Sequence, residues 1–217
     1  MQDFNTVLKI NKRNYQIETD RVLSTLKGGE RLLLHACCAP CSSYVLEYLT
    51  GYFDIDAYYY NPNLTSDAEY EKRIGEMYRL ASLMPHEREI NVIDADRDTD
   101  RFLDLSKGRE DIPEGGARCF DCYRLRLEKT AAYMAENPGK YDYFATTLTV
   151  SPHKNAEKLN EIGFELAEKY GVRYLPSDFK KKGGYKRSIE LSREYSLYRQ
   201  DFCGCEFSRR MRHPDAD

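Results

Sequence analysis

The sequence predicts an α/β fold, in which helices flank a mostly parallel sheet and a helical segment follows at the C-terminus. Short apolar runs alternate with segments whose apolar residues recur at helical spacing, and glycine, proline and asparagine separate them. Such alternation is typical of strand–helix–strand units, whose right-handed crossovers place helices on both faces of a sheet. At 217 residues, the chain is long enough for one domain with its own core.

The first half of the chain predicts three strands and the helices that join them. Residues 1–30 are predicted to be a polar N-terminal extension with a short helix at about 17–27. The first two strands are "RLLLHA" and "DIDAYYY", and Pro40 suits the first turn of the helix between them. Ser66 followed by Glu69 is a capping box that starts a second helix, after which "EINVIDAD" is the third strand.

The second half continues the same alternation. "GGARCFDCYRLRLEKTAAYMAEN" is predicted to be a loop and then a helix, which Pro138 and Gly139 end. "YDYFATTL" is the fourth strand, "NAEKLNEIGFELAEKYG" a helix that ends at Gly171, and "VRYLPSDF" a fifth strand. We therefore expect a single α/β domain at residues 31–208 and a C-terminal tail at 209–217.

Charge and hydropathy exclude several classes of protein. The formal net charge of −3 excludes a uniformly basic nucleic-acid binder and leaves only local basic patches. The N-terminus lacks the apolar segment of a signal peptide, and no run approaches the roughly 20 apolar residues of a membrane span. We expect a cytoplasmic protein without membrane contact, in which cysteines serve as metal ligands or redox thiols rather than structural bridges.

The seven cysteines fall into three groups: Cys37, Cys38 and Cys41, then Cys119 and Cys122, then Cys203 and Cys205. The first group follows the first strand, and sites in parallel sheets lie beyond the carboxyl ends of strands. The spacing of the second group puts both thiols on one face near a helix start. Thiolates from these two loops can therefore meet at one centre.

Four thiolates suit either zinc or an iron–sulfur cluster. Adjacent cysteines at 37 and 38 are awkward ligands for one tetrahedral ion, whereas a larger cluster accepts them more easily. Cys41 is left as a ligand of a second metal, a member of the cluster or a plain thiol. Cys203 and Cys205 flank Gly204, and a disulfide across so small a ring is strained and easily reduced, which favours a redox-active pair. Two more ligands or idle thiols are the alternatives for this pair.

Four stretches in this order, "HACCAPCSS", "RCFDCYRLRLEKTA", "ATTLTVSPHKN" and "YRQDFCGCEFS", resemble the epoxyqueuosine reductases of the QueH type. The resemblance runs from about Arg31 to Ser208. It implies an adenine-nucleotide-alpha-hydrolase-like (HUP-like) fold and the reduction of epoxyqueuosine to queuosine at the wobble position of tRNA.

The resemblance also implies a [4Fe–4S] cluster with Cys37, Cys38, Cys119 and Cys122 as ligands. It further implies that Cys203 and Cys205 are a redox-active pair, supplied by an external electron donor. We hypothesise an additional adjacent iron completed by Cys41. The oligomeric state is not predicted.

Removal of an epoxide oxygen as water also requires a proton donor. Asp121 and Tyr123 are the candidates beside the expected ligands. His35 is more readily interpreted as a hydrogen-bonded strand histidine, and His153 either as a site residue or as a contact at a helix start.

For tRNA contact, the candidate is the basic run between the sheet and the final helical segment: Lys180, Lys181, Lys182, Tyr185, Lys186 and Arg187. Its cations can meet phosphates while its tyrosine stacks on a base. A solvated charged surface is the simpler interpretation. Two other functions also fit the cysteines: a zinc-stabilised RNA-binding module without redox chemistry, and a thiol–disulfide oxidoreductase that acts on proteins.

Overall fold

The computed structural model describes residues 13–214, and its centre is a sheet of four parallel strands. The strands are β1 (Arg31–His35), β2 (Asp54–Tyr59), β3 (Ile90–Asp94) and β4 (Tyr143–Thr146). Their order in the sheet is β3-β2-β1-β4, with β1 paired in parallel to both β2 and β4. The predicted α/β class is confirmed, and the strand order agrees with the expected HUP-like fold.

Eight α-helices surround this sheet in the described part of the chain. They are α1 (Tyr15–Leu23), α2 (Ala39–Leu49), α3 (Asp67–Leu83), α4 (Thr99–Ser106), α5 (Ala117–Glu136), α6 (Ala156–Tyr170), α7 (Gly184–Glu194) and α8 (Glu206–Arg212). Local signals predicted several of their ends. Ser66 Oγ accepts the Glu69 backbone N–H at 3.4 Å, and Gly171 ends α6 with a left-handed φ of 65°. Helix α4 was not predicted, because its charged sequence has little apolar periodicity.

The predicted fifth strand is wrong. Residues 172–179 contribute only an isolated parallel bridge between Phe144 and Tyr174. The N–H of Leu175 donates to the Phe144 carbonyl at 2.9 Å, but the next donor on this side, the N–H of Ser177, bonds to Asn160 Oδ1 at 2.9 Å and the ladder stops there. The Pro176 carbonyl instead accepts the hydroxyl of Thr19 at 2.7 Å, so α1 covers this edge of the sheet.

The core lies in two layers, one on each face of the sheet. Successive residues of β1 alternate between them, because side chains of a strand point to opposite faces: Leu32 and Leu34 pack in one layer and Leu33 in the other. The first layer is built mainly by α2 and α3, and the second by α5 and α6.

The predicted extension and tail are only partly described. Residues 1–12 and 215–217 lie outside the described residues. Within the extension, α1 begins at Tyr15 and ends at Leu23, four residues before the predicted end, and Leu23 packs in the first core layer. Over residues 13–214, no helix combines the length and the apolar character that crossing a membrane requires.

Candidate active site

The cysteine site lies at the carboxyl ends of β1 and β4. These neighbouring strands flank the point at which the strand order of the sheet reverses, which is where open α/β sheets form a binding crevice. Cys37 follows β1 and Thr147 follows β4. The Cys37 N–H donates to Thr147 Oγ1 at 3.2 Å, and the same hydroxyl lies 3.3 Å from Cys37 Sγ.

Cys37, Cys38 and Cys41 form a compact group of thiols. Their three sulfur atoms all lie within 4.8 Å of one another, and no other group of three or more metal-ligating side chains this close occurs in residues 13–214. Cys38 is the N-cap residue of α2, whose first turn has no side-chain cap. The exposed N–H groups and the positive end of the helix dipole favour a thiolate or a bound anion there. This group can hold a metal ion.

One of the three thiols in this group ionises more easily than the other two. Hydrogen bonds from the thiols of Cys37 and Cys41, with the nearby charge of Arg73, lower the pKa of Cys38 well below that of an ordinary thiol. The same hydrogen bond with Cys38 raises the pKa of Cys37 to about 12, and the neighbouring sulfurs and burial raise that of Cys41. Metal binding would deprotonate the other thiols as well, since thiolates are the ligands.

The other four cysteines surround a second, smaller cavity. Helix α5 places Cys119 and Cys122 one turn apart, and the segment before α8 brings Cys203 and Cys205 against them. The cavity has a volume of about 10 Å³, which is about the minimum that a single water needs. The hydroxyl-bearing ring of Tyr123 lines it as well.

A larger cavity of about 280 Å³ adjoins the small one. The thiols of Cys37, Cys38 and Cys41 line the large cavity, whereas Cys119 and Cys122 line the small one. Four residues line both: Glu114, Arg126, Lys154 and Cys203. The structure therefore brings the predicted groups to adjoining cavities, with Cys203 between them. The ligand set of Cys37, Cys38, Cys119 and Cys122 stays a prediction.

Two of the buried cations, Arg126 and Lys154, line both cavities. Arg126 is 2% exposed, its Nε donates to the Cys122 carbonyl at 3.4 Å, and no carboxylate of residues 13–214 forms an ion pair with it. Lys154 Nζ lies 3.0 Å from Glu114 Oε1 and 3.1 Å from Cys203 Sγ. Because buried charges need partners of opposite sign, this region favours anionic sulfur.

Hydrogen bonds from two side chains hold the Cys203–Gly204–Cys205 turn in place. The Cys203 carbonyl accepts from Asn63 Nδ2 at 3.4 Å and from an Arg73 guanidinium nitrogen at 3.3 Å. Both thiols are free. Gly204 has a φ of 109°, and a Cβ there would lie 2.3 Å from a methyl carbon of Leu64, so this position requires glycine.

The two thiols of this turn differ in how easily they ionise. Burial opposes ionisation of Cys203, but the positive charges of Lys154 and Arg126 outweigh it and lower the pKa. Burial and the neighbouring charge of Cys203 raise the pKa of Cys205 to about 12. Ionisation of Cys203 is therefore favoured over that of Cys205.

The predicted proton donors lie in very different places. Tyr123 is 1% exposed, its hydroxyl has no hydrogen-bond partner in the described chain, and burial raises its pKa to about 12. Asp121 is 46% exposed and pairs with Arg109, away from both cavity linings. His35 is fully buried between Thr146 Oγ1 and the Tyr60 carbonyl, and burial lowers its pKa to about 3. His35 is thus a neutral strand histidine, whereas His153 lines the large cavity.

The basic run at residues 180–187 starts helix α7 instead of forming a separate linker. Much of its charge is paired within the protein: Lys180 with Asp178 at 2.6 Å, Lys182 with Asp20 at 2.6 Å, and Arg187 with Glu47 at 2.5 Å. Lys186 lies 4.0 Å from Glu190 and is highly exposed. Tyr185 alone among the predicted residues of this run lines the large cavity.

Sequence reasoning did not identify three site residues. Arg126 follows Cys122 by four positions, so helical spacing placed it on the ligand face of α5. Lys154 adjoins His153 in the loop after β4, and that position was its only signal. Glu114, which precedes two glycines, carried none.

Comparisons with known proteins agree on one family. A family model described as epoxyqueuosine reductase QueH matches residues 32–211. The chain is 39% identical to an epoxyqueuosine reductase QueH of Streptococcus pyogenes, over 99% of this chain and 87% of that protein. Proteins of the same name from Staphylococcus epidermidis and Thermotoga maritima are 42% and 36% identical, over 90% and 85% of this chain and 86% and 94% of theirs.

Proposed function

Because this chain belongs to the QueH family of epoxyqueuosine reductases, we propose that it reduces epoxyqueuosine to queuosine in tRNA at the two adjoining cavities. The observation that carries this proposal is the placement of all seven cysteines around those cavities at the carboxyl ends of β1 and β4. The large cavity, at about 280 Å³, has room for the small ring that bears the epoxide.

The dithiol of Cys203 and Cys205 balances the reaction. Conversion of an epoxide to an alkene breaks two carbon–oxygen bonds and releases one water, which takes two electrons and two protons. Two thiols that become one disulfide release two electrons and two protons. Cys203 lines the large cavity and Cys205 adjoins it across Gly204, which supports this pair as the immediate reductant. An external electron donor then restores both thiols.

The residues at the two cavities fit a [4Fe–4S] cluster. Cys37, Cys38, Cys119 and Cys122 would hold it, because a four-iron core is larger than a single ion and accepts ligands from adjoining cavities. Arg126, which is buried and has no carboxylate partner within residues 13–214, would offset negative charge of thiolate ligands. Cys41 would hold an additional iron beside Cys37 and Cys38. Bound iron would supply single-electron transfer and Lewis-acid polarisation of the epoxide oxygen.

Protein groups then bind the substrate and provide a proton. Tyr123 is the better donor of the two predicted. It lines the small cavity, and its hydroxyl is protonated and has no hydrogen-bond partner in residues 13–214, whereas Asp121 is held at the surface by Arg109. Tyr185 at the large cavity is the member of the basic run that fits stacking on an anticodon base. Lys181 and Lys186 of the same run would contact phosphates.

Anaerobic purification tests the cofactor. We expect a brown protein that contains iron and acid-labile sulfide and converts epoxyqueuosine in tRNA to queuosine. Cys119→Ser should lose the colour, whereas Cys205→Ser should keep it and fail to turn over. Colourless protein with one zinc bound by the compact thiol group would instead indicate an RNA-binding module without redox chemistry. A coloured and fully active Cys205→Ser variant would remove the dithiol from the reaction.

A further inference from the structure

Lys154 is a buried cation with two anionic partners. Its side chain is 8% exposed, and its ammonium group touches Glu114 Oε1 at 3.0 Å and Cys203 Sγ at 3.1 Å. The residue lies in the loop between β4 and α6, and it lines both cavities. Because so little of the side chain is exposed, water has little access to the ammonium group and does not readily replace the Cys203 sulfur as its partner.

Buried cations outnumber carboxylates around Lys154. Three of them, Lys154, Arg126 and Arg118, line the small cavity, and Glu114 is the one carboxylate in that lining. The second oxygen of Glu114 already accepts the Ser208 hydroxyl at 3.1 Å and lies 3.9 Å from an Arg212 nitrogen. Because Glu114 is shared in this way, a second anion beside the Lys154 ammonium group is stabilised. Cys203 is the group in hydrogen-bond contact, with its sulfur at 3.1 Å.

We propose that Lys154 is a positioning residue that holds Cys203 as a thiolate, so that Cys203 acts first on the substrate and Cys205 then closes the disulfide. The order of the two thiols rests on the proposed function, whereas the thiolate state of Cys203 does not. Nothing in the chain's local sequence distinguishes these two cysteines, so the assignment comes from the contact with Lys154.

The positions of the two sulfurs support this division of roles. Cys203 lines both cavities and is reachable from the large one, while Cys205 lines only the small one. Cys205 is the N-cap residue of α8, and its sulfur accepts the Ser208 N–H at 3.4 Å. A thiol that caps a helix and lies behind its partner is suited to attack second.

Proton and electron counts agree with the proposal. A Cys203 thiolate and a Cys205 thiol give up two electrons when their S–S bond forms, and Cys205 releases one proton. The second proton comes from solvent by way of the Tyr123 hydroxyl, the donor proposed above, so Lys154 keeps its charge. Thiolate, thiol, proton and epoxide thus give disulfide, alkene and water, and the ammonium group of Lys154 retains Glu114 as its partner at 3.0 Å.

Several titratable groups face the Cys203 sulfur: Lys154, Arg126, Glu114, Tyr123, Cys122 and Cys205. Lys154 and Arg126 favour the thiolate, whereas burial and the carboxylate of Glu114 oppose it. Arg73 contacts the carbonyl of Cys203, at 3.3 Å, and not its sulfur. Lys154 and Glu114 therefore act on the thiolate in opposite directions, which the following experiment uses.

Alkylation of Cys203 against pH tests the proposal. Reduced, metal-loaded protein is treated with iodoacetamide between pH 5 and pH 10, and fragment ions of the tryptic peptide 200–209 separate Cys203 from Cys205. The midpoint of the pH profile is the readout, because the intrinsic reactivity of a thiolate changes with its pKa. We expect a wild-type midpoint for Cys203 below the ordinary thiol value of about 8.5, with Cys205 unreacted over the same range.

Three variants make the test specific. Lys154→Met should raise the midpoint by at least about one pH unit, a tenfold loss of thiolate at neutral pH, and Lys154→Arg should restore most of it. Glu114→Gln should lower the midpoint, which keeps the proposal testable if Lys154→Met does not fold. Lys158→Met is the matched control, because it removes an exposed lysine of α6 that pairs with Glu161 and lines neither cavity.

The outcomes separate this inference from the proposed function. Equal midpoints for Lys154→Met and Lys158→Met, or a wild-type midpoint at the ordinary thiol value, would overturn the role of Lys154. A lowered midpoint in a protein that does not convert epoxyqueuosine would retain the thiolate and reject the proposed function. Preferential alkylation of Cys205 would reverse the assigned order.

Discussion

At the scale of single residues, the charge on each thiol follows from its nearest neighbour. Cys38 lies at the uncapped start of α2 and receives hydrogen bonds from two other thiols, so its pKa is low. The charge of Lys154 lowers the pKa of Cys203, whereas Cys122 is buried without a comparable contact and its pKa is raised by burial. Cysteines with the same chemistry thus acquire different reactivity from contacts of 3 to 4 Å.

The hydroxyl of Tyr123 is a residue-scale test of the proton donor. Tyr123→Phe should lower turnover by roughly 10²- to 10⁴-fold, the usual contribution of general acid catalysis. The melting temperature should stay the same or rise, because the hydroxyl is buried without a hydrogen-bond partner in residues 13–214 and its removal costs no bond. Turnover of epoxyqueuosine-containing tRNA and thermal unfolding measure the two effects.

Tyr174→Phe is the matched control for this variant. Its hydroxyl is also buried without a partner in the described chain, but the ring packs against Phe144 and Phe164 instead of lining either cavity. It should leave turnover unchanged. Full activity of Tyr123→Phe would exclude this tyrosine as the donor.

At the scale of elements, the ends of strands and the starts of helices position the site. The carboxyl ends of β1 and β4 carry Cys37 and Thr147, and the first turns of α2 and α5 carry most of the remaining candidate ligands. Close packing of the helices on the sheet fixes these ends. At Gly184, a Cβ would lie 2.0 Å from the Phe179 carbonyl, so glycine lets α7 begin there against α2.

Two helical glycines should respond to alanine in opposite directions. Alanine in a helix interior normally stabilises by about 0.5 to 1 kcal/mol relative to glycine. Gly75→Ala in α3 should show this gain, since Gly75 is exposed and a Cβ would meet nothing within 4 Å. Gly163→Ala in α6 should instead destabilise by about 1 to 3 kcal/mol, because the Cβ would lie 2.3 Å from the Tyr174 ring.

Thermal unfolding followed by circular dichroism gives both values. The pair controls for helix propensity, because the two substitutions are chemically identical. A shift of both melting temperatures in the same direction would contradict the close packing of Gly163 against the Tyr174 ring.

At the scale of the whole molecule, one buried carboxylate, that of Asp56, connects the strands of the sheet. Asp56 in β2 accepts the Tyr141 hydroxyl at 2.6 Å and the Asn91 amide at 3.3 Å. It also pairs with Lys140 at 3.2 Å and with Arg31 at 3.5 Å. These partners come from β1, β3 and the segment that leads into β4, so Asp56 links all four strands.

Stability should therefore depend on Asp56 in a pH-dependent way. Burial acts to raise the pKa of Asp56, but the hydrogen bonds from Tyr141 and Asn91 and the charge of Lys140 outweigh it and lower the pKa below 3.8. A lowered folded-state pKa gives stability that is present above pH 3.8 and is lost as the pH falls through the folded value. Asp56→Asn should lower the free energy of unfolding by about 2 to 3 kcal/mol at pH 7, and by less at pH 3.

Urea unfolding at the two pH values measures this difference. Asp104→Asn is the control, since Asp104 forms an exposed ion pair with Lys107 and should change stability by less than about 0.5 kcal/mol. A constant loss in Asp56→Asn at pH 7 and pH 3 would contradict a role for the ionised carboxylate.

The sequence by itself determined the strand–helix alternation, the caps at Ser66 and Gly171, and the cysteine groups behind β1 and at the start of α5. These features follow from backbone periodicity and from interactions within a few residues, which a linear pattern contains. The predicted fifth strand is wrong because the Ser177 N–H bonds to the Asn160 side chain of α6 and not to β4, a long-range contact that the apolar pattern does not contain.

Only the tertiary structure decided which thiols share a cavity and which cations are buried among them. Lys154 meets Cys203 across 49 positions of the chain, and Lys182 of the basic run is paired with Asp20 across 162. Such pairs depend on how helices pack on the sheet, because packing sets both the distance between the charges and their access to water. Lys182 therefore forms an ion pair at the surface, whereas Lys154 is buried beside the thiol of Cys203.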